Sequence, residues 1–290
     1  MKPAREETLD IGGRAVAYCV WEEDTRAEES HALFLCHGTP GARLFHPFQS
    51  LEGRRYITFD RPGYGRSDPA PDLSVADVGG DIIALADHLA IERFGLIGIS
   101  GGGPYALCAA ARHPDWVEAL ALCGSVAPVS RGADTAGMML INRLSFGMAR
   151  MAPFLLWPVL SLMARQATHH PDRLIESMTE RFAEVDQPIL RRRDVQDMLR
   201  QDLPEVFRQG GTGLFHDMGR LVRNWGAAPQ DVSVPTHIFQ GGKDMNVPER
   251  MARQLDEQIP SAELHLDADA GHLLFLERWD EIVALLLNQK

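Results

Sequence analysis

The chain has 290 residues, 45% of them hydrophobic and 24% charged, which suits a globular protein with a sizeable core. A formal net charge of -11 argues against a nucleic-acid partner or an anionic membrane surface, both of which need clustered Lys and Arg. The four cysteines, Cys19, Cys36, Cys108 and Cys123, include no C-x-x-C pair and read as reduced, buried thiols of a cytoplasmic protein.

The first ten residues, MKPAREETLD, lack the apolar stretch of a signal peptide. TLDIGGRAVAYCVWEE predicts two strands around the turn Gly12-Gly13. Short apolar runs follow at 32–38, 55–60, 93–100, 117–125, 235–242 and 262–268, each ending in a glycine-rich or polar loop. Continuous apolar runs of this kind suit parallel strands buried on both faces. Helical patterns lie among them: 74–91 behind Ser74 as N-cap, 104–114, 248–259 opening on proline, and 273–289. Strands alternating with helices predict a doubly wound α/β sheet.

Between Pro128 and Pro229 the alternation stops, and only helical patterns remain. This predicts a first core part at 1–127, a helical cap at 128–230 and a second core part at 231–290. The apolar stretch between Arg150 and Arg165 holds 14 uncharged residues, too few to span a bilayer. Arg191, Arg192 and Arg193 read as a solvated helix face. Met138, Met139, Leu140, Phe146, Met148, Met151, Phe154, Leu155 and Trp157 either line an apolar pocket or pack the cap onto the core.

The run GLIGISGGGPYAL, 95–107, contains Gly98-Ile99-Ser100-Gly101-Gly102, a G-x-S-x-G turn between a predicted strand and a predicted helix. Such a turn exposes its serine as a nucleophile and strains the backbone, so the residues two before and two after must be small. The helix start behind Ser100 directs free amides and partial positive charge toward an oxyanion. A phosphate loop does not fit, because both G-x-G-x-x-G and the G-K-[ST] ending are missing.

A nucleophilic serine needs a base, an acid that orients the base, and oxyanion donors. His265 sits inside a strand pattern and reads as structural. His272 lies on the loop past that strand and is the candidate base. Asp244, on the loop after the preceding strand, is the candidate acid, with Asp267 and Asp269 as rivals. After the strand pattern VEALALC, the residues Gly124-Ser125-Val126-Ala127 offer no carboxylate. The loop CHGTPG, 36–41, offers the Thr39 amide as a second oxyanion donor beside that of Gly101. His37 reads as a structural loop residue, not half of a Cys36–His37 dyad. No cofactor is expected, and no His-x-x-x-His or Cys-x-x-Cys ligand pair appears on one element.

Together H-G-T-P-G (37–41), D-R-P-G-Y-G-R-S-D (60–68), G-I-S-G-G (98–102), G-G-K-D (241–244) and G-H (271–272) resemble the α/β-hydrolase superfamily over almost the whole chain. The resemblance implies a mostly parallel sheet with a cap, a Ser-Asp-His triad and a cis Thr39–Pro40 bond. Serine rather than aspartate as nucleophile favours acyl transfer over dehalogenase or epoxide chemistry. The reading is a carboxylesterase-like hydrolase of a small or medium ester. Proline iminopeptidases share the first two segments but usually carry tryptophan after the serine, where this chain has Gly101. That activity, cofactor-free haloperoxidase chemistry and a non-catalytic ligand sensor are the alternatives. Carbon–carbon bond hydrolases rank lower among the alternatives, for want of a recognisable elbow signature. The expected partner is a small-molecule substrate; monomer and homodimer both stay open.

Overall fold

A computed structural model describes residues 2–22, 31–47, 50–51, 53–129 and 135–288. Strands β1 (Arg5–Asp10) and β2 (Ala15–Trp21) form an antiparallel hairpin. Its turn uses Gly12 and Gly13 at φ of 64° and 85°, values that suit glycine. The remaining strands are β3 (Ala32–Cys36), β4 (Arg55–Phe59), β5 (Phe94–Ile99), β6 (Val117–Cys123), β7 (Thr236–Gly241) and β8 (Ala262–Asp267). All eight join one sheet in the order β1-β2-β4-β3-β5-β6-β7-β8. β2 meets β4 antiparallel, and β3 to β8 pair in parallel throughout.

This order positions the site. The chain runs from β3 to β4 on one side of β3, then returns to place β5 on the other. The loops after β3 and β5 therefore diverge at a switch point, where open α/β sheets bind ligands beyond the strands' carboxyl ends.

Helices cover both faces. α1 (Val75–His88) begins with a capping box between Ser74 and Asp77, which satisfies amides the helix cannot. It packs with α2 (Gly103–Arg112) and α9 (Glu249–Gln258) into one apolar cluster. α10 (Leu274–Glu277) and α11 (Trp279–Leu287) build the cluster on the other face. The predicted helix 273–289 is thus two helices, interrupted at Arg278, whose backbone leaves helical geometry at φ -103° and ψ 14°. β5 and β6 are buried almost throughout, the pattern of central parallel strands.

Between β6 and β7 the described residues hold no strand. They hold α3 (Leu140–Met151), α4 (Trp157–His169), α5 (Pro171–Arg181), α6 (Gln187–Leu190), α7 (Arg193–Val206) and α8 (Thr212–Leu221). Phe146, Leu160 and Leu203 join the first cluster, and Ile189, Leu190 and Met198 the second. The insertion thus packs onto both faces of the sheet. Of its nine singled-out apolar residues, Met138 and Phe146 are buried, whereas Leu140, Met151, Phe154, Leu155 and Trp157 are exposed. No helix among the described residues is long and apolar enough to cross a membrane. The four cysteines are buried and unpaired.

Candidate active site

Ser100 follows the last residue of β5 and opens a short 3-10 turn that runs directly into α2. Its φ is 54°, a left-handed conformation that strains any residue with a side chain. The crowding that the motif predicts is present. A Cβ on Gly98 would lie 2.7 Å from the Gly103 Cα and 2.8 Å from the Ala106 Cβ. One on Gly102 would run into the carbonyl oxygens of Cys36 and His37. Pro104 sits in the first turn of α2, where its missing N–H removes nothing.

The glycine at 101 has its own cause. A Cβ there would lie 2.6 Å from the Thr39 Cβ and 3.4 Å from the Thr39 amide nitrogen. Residues 39 and 101 are therefore in close approach, with no room for a side chain at 101. The Thr39–Pro40 bond is cis.

Asp244 follows β7, and His272 follows β8. His272 Nδ1 and Asp244 Oδ2 are 2.7 Å apart. The other carboxylate oxygen, Oδ1, accepts from the amides of Asn246 at 2.8 Å and Val247 at 2.9 Å. Gln240 Nε2 donates to Oδ2 at 3.3 Å. The carboxylate is thus fixed in orientation and has a lone pair for an Nδ1–H. Burial alone would lower the His272 pKa, but the Asp244 charge and hydrogen bond, with Asp186 behind them, outweigh it and raise it above 6.5. The rivals lie elsewhere: Asp269 is exposed and bound to Lys243 at 2.7 Å, and Asp267 holds the amides of Asp269 and Ala270.

The loop after β6 links the two halves. Gly124 abuts the imidazole and the carboxylate, its would-be Cβ lying 3.1 Å from His272 Nδ1 and 3.3 Å from Asp244 Oδ2. Two residues on, the Val126 amide donates to the Ser100 carbonyl at 3.2 Å. Ser100, Thr39, Gly101, Asp244 and His272 therefore share one edge of the sheet.

Three residues that the sequence did not single out complete the surroundings. Asp186, in the α5–α6 loop, accepts from the amides of His272 and Leu273. Arg61, fully buried after β4, donates to the carbonyls of His37 and Gly38 and to the Thr39 hydroxyl. Asp217, on α8, accepts from Arg61 Nε at 3.1 Å and from Tyr105 Oη at 2.7 Å. Arg61 and the other donors outweigh the burial that would raise Asp217, and hold it at about 2. His37 Nδ1 lies 2.8 Å from the Gly38 carbonyl and its Nε2 accepts from the Arg61 amide at 3.5 Å. Burial, with Arg61 nearby, pushes its pKa well below 6.5, so it is a neutral ring that braces the loop. Burial also lifts the Cys36 thiol to about 12, which leaves no thiolate for a dyad. Arg61 lies within the quoted D-R-P-G segment, so position alone could have flagged it. Asp186, in a loop, and Asp217, on α8, have nothing local in the sequence to mark them.

The family model for the alpha/beta hydrolase fold matches residues 31–278. The chain belongs to the alpha/beta hydrolase family. Among similar family members is a 2-hydroxymuconate semialdehyde hydrolase of Pseudomonas putida, 28% identical over 90% of this chain and 87% of that protein. A proline iminopeptidase of Lactobacillus helveticus is 27% identical over 89% of each chain. In three dimensions, this alpha/beta hydrolase is similar to an enol-lactonase from Burkholderia xenovorans, with TM-score 0.68 and 20% identity over 97% of this chain and 98% of that one. It is also similar to a thermophilic esterase from Thermogutta terrifontis, with TM-score 0.67 and 20% identity over 98% and 97%.

Proposed function

We propose that this alpha/beta hydrolase cleaves a small or medium carboxylic ester through an acyl-enzyme. The observation that carries the proposal is the 2.7 Å contact between His272 Nδ1 and Asp244 Oδ2, on the sheet edge that also holds the strained Ser100. Ser100 Oγ attacks the ester carbonyl while His272 Nε2 takes its proton. Asp244 holds the tautomer with the proton on Nδ1 and stabilises the imidazolium. The oxyanion accepts from the Thr39 and Gly101 amides. Collapse breaks the ester C–O bond, and the imidazolium returns its proton to the leaving alkoxide. Water then attacks the acyl-Ser100, with His272 again as base, and releases the acid and free serine.

Two observations support an ester over an N-terminal peptide. The contact of Thr39 with Gly101 excludes a bulky residue after the nucleophile. An aminopeptidase also needs a carboxylate for the substrate ammonium. Among the buried acids of the insertion, Asp186 and Asp217 engage both oxygens with protein donors, whereas Asp202 accepts the Ala42 amide through Oδ2.

In this reading residues 128–230 form a lid, and the buried, unpaired thiols fit a reducing, cytoplasmic setting. The test is a panel of p-nitrophenyl esters of rising chain length beside a panel of aminoacyl arylamides, with fluorophosphonate labelling of Ser100. Multiple turnovers on esters are expected. Cleavage of the arylamides alone would overturn the ester reading, and labelling without turnover would make the protein a sensor.

A further inference from the structure

We infer that His237, Glu263 and His265 form a binding site for a divalent transition metal of the zinc type, on the outer edge of the sheet and separate from Ser100. In the parallel β7–β8 pair, His237 stands opposite Glu263, and Phe239 opposite His265. Residues two apart along a strand share a face, so all three side chains project from the same side.

Their ligand atoms converge. His237 Nδ1 lies 3.2 Å from His265 Nε2 and 3.6 Å from Glu263 Oε2, and His265 Nε2 lies 4.0 Å from that oxygen. A triangle with these sides has a circumscribed radius of about 2.1 Å. That is the bond length zinc makes to imidazole nitrogen and carboxylate oxygen, roughly 2.0–2.2 Å. An ion at the centre would reach all three atoms with the side chains where they stand.

A hydrogen bond between the two rings explains only one side of the triangle. It places a proton on one ring nitrogen and leaves the other as an acceptor, facing the carboxylate. Two acceptors then compete for one N–H, whereas one cation takes a lone pair from all three atoms. Two imidazoles and a carboxylate are a zinc-type donor set. Stacking of the His265 ring on Phe239, at 4.6 Å and 15°, orients one ligand. The Glu263 side chain is 67% exposed, which leaves room for water to complete the coordination. Glu281, on α11, adds negative charge near His265, while Arg278 is bound to Glu281 and paired with Asp267.

His237 and Glu263 are the second residues of β7 and β8 and His265 is the fourth of β8, whereas Asp244 and His272 lie beyond the carboxyl ends of these strands. A bound ion would clamp the edge strand β8 onto β7 without entering the hydrolytic site. It would stabilise the fold by binding the native state alone.

The experiment uses the full chain without a histidine tag, stripped with EDTA. Zn(II) is titrated against melting temperature, and Co(II) against visible absorption. The expected result is one equivalent of each ion, a raised melting temperature and an intense Co(II) band. His265→Gln and Glu263→Gln should each weaken Zn(II) binding by about a hundredfold or more, above the range for loss of a ligand's outer partner. Should His265→Gln fail to fold, the exposed Glu263→Gln decides. Absence of both the Co(II) band and the zinc-dependent melting shift in the wild-type chain would overturn the site. So would unchanged Zn(II) binding by folded Glu263→Gln.

Discussion

Asp186 accepts hydrogen bonds from the backbone amides of His272 at 3.0 Å and Leu273 at 2.9 Å. A side chain of the insertion thus holds the segment that presents the imidazole. Asp186 also helps to raise the His272 pKa, behind the opposing effect of burial and the larger effect of Asp244. In Asp186→Asn one accepting oxygen becomes an amide nitrogen and the charge is lost. The acid limb of kcat/KM should move to lower pH, and kcat should fall by up to about a hundredfold, the scale of a small misplacement of a reacting group. Loss of melting temperature with an unmoved pH profile would reduce Asp186 to a packing role.

Removing the proposed nucleophile and acid should separate chemistry from folding. Ser100→Ala keeps the Cβ and with it the strained backbone, so the melting temperature should change little while ester turnover falls about a thousandfold or more. Asp244→Asn preserves shape but allows the wrong imidazole tautomer, for a loss of roughly ten-thousandfold in kcat. Steady-state kinetics on purified, folded variants measure both. Full activity of Asp244→Asn would remove Asp244 from the mechanism.

The wild-type pH profile follows from the same pair. The His272 pKa is raised above 6.5 in the fold, so its charged form is favoured there. That contributes stability below pH 6.5 which fades as pH rises through the raised value. The base in the proposed mechanism is the neutral ring, so activity should run the other way. Ester kcat/KM should rise with pH, with a midpoint above 6.5, while the stability contribution of this group declines. A midpoint below 6.5 would mean that another group limits the reaction.

The eight strands and the helices α1, α2 and α9 were legible in the sequence because their signals are local: continuous apolar runs, Ser74 before Asp77, and a proline at a helix start. Ser100 was legible because the elbow demands small neighbours close by in the chain. Asp186, Asp217 and His237 were not. Their partners stand 86, 156 and 28 residues away, and no spacing within one element records such a contact. The apolar residues singled out between 128 and 230 were legible as a group but not individually. Phe146 and Met151 lie on the same helix, yet the first is buried and the second is 81% exposed. Only the packing of the insertion decides which of them turns inward.

Arg61 and Asp217 form a fully buried ion pair that ties α8 to the loop carrying Thr39. Removing one partner of such a pair leaves a charge in the interior, so Asp217→Asn should destabilise the fold by about 3–5 kcal/mol, read from urea unfolding. Asp217 is held at about 2 against its ordinary 3.8. Its contribution is therefore complete above pH 3.8 and is lost as pH falls toward 2, a dependence the Asn variant should lack. The double variant Arg61→Met with Asp217→Leu removes both charges and should recover part of the stability, since apolar replacements of a buried pair are often neutral or better, while the buried Arg220 loses Asp217 at 3.4 Å and keeps its bonds to the Leu73 and Ala70 carbonyls. Activity should not recover with it. Without Arg61 the carbonyls of His37 and Gly38 and the Thr39 hydroxyl lose their shared donor, and the Thr39 amide is no longer held toward the oxyanion. A fall in kcat of roughly a hundredfold to a thousandfold, the scale for one lost oxyanion donor, with KM little changed, is the expected result. A double variant that is both stable and fully active would limit the pair to fastening the insertion.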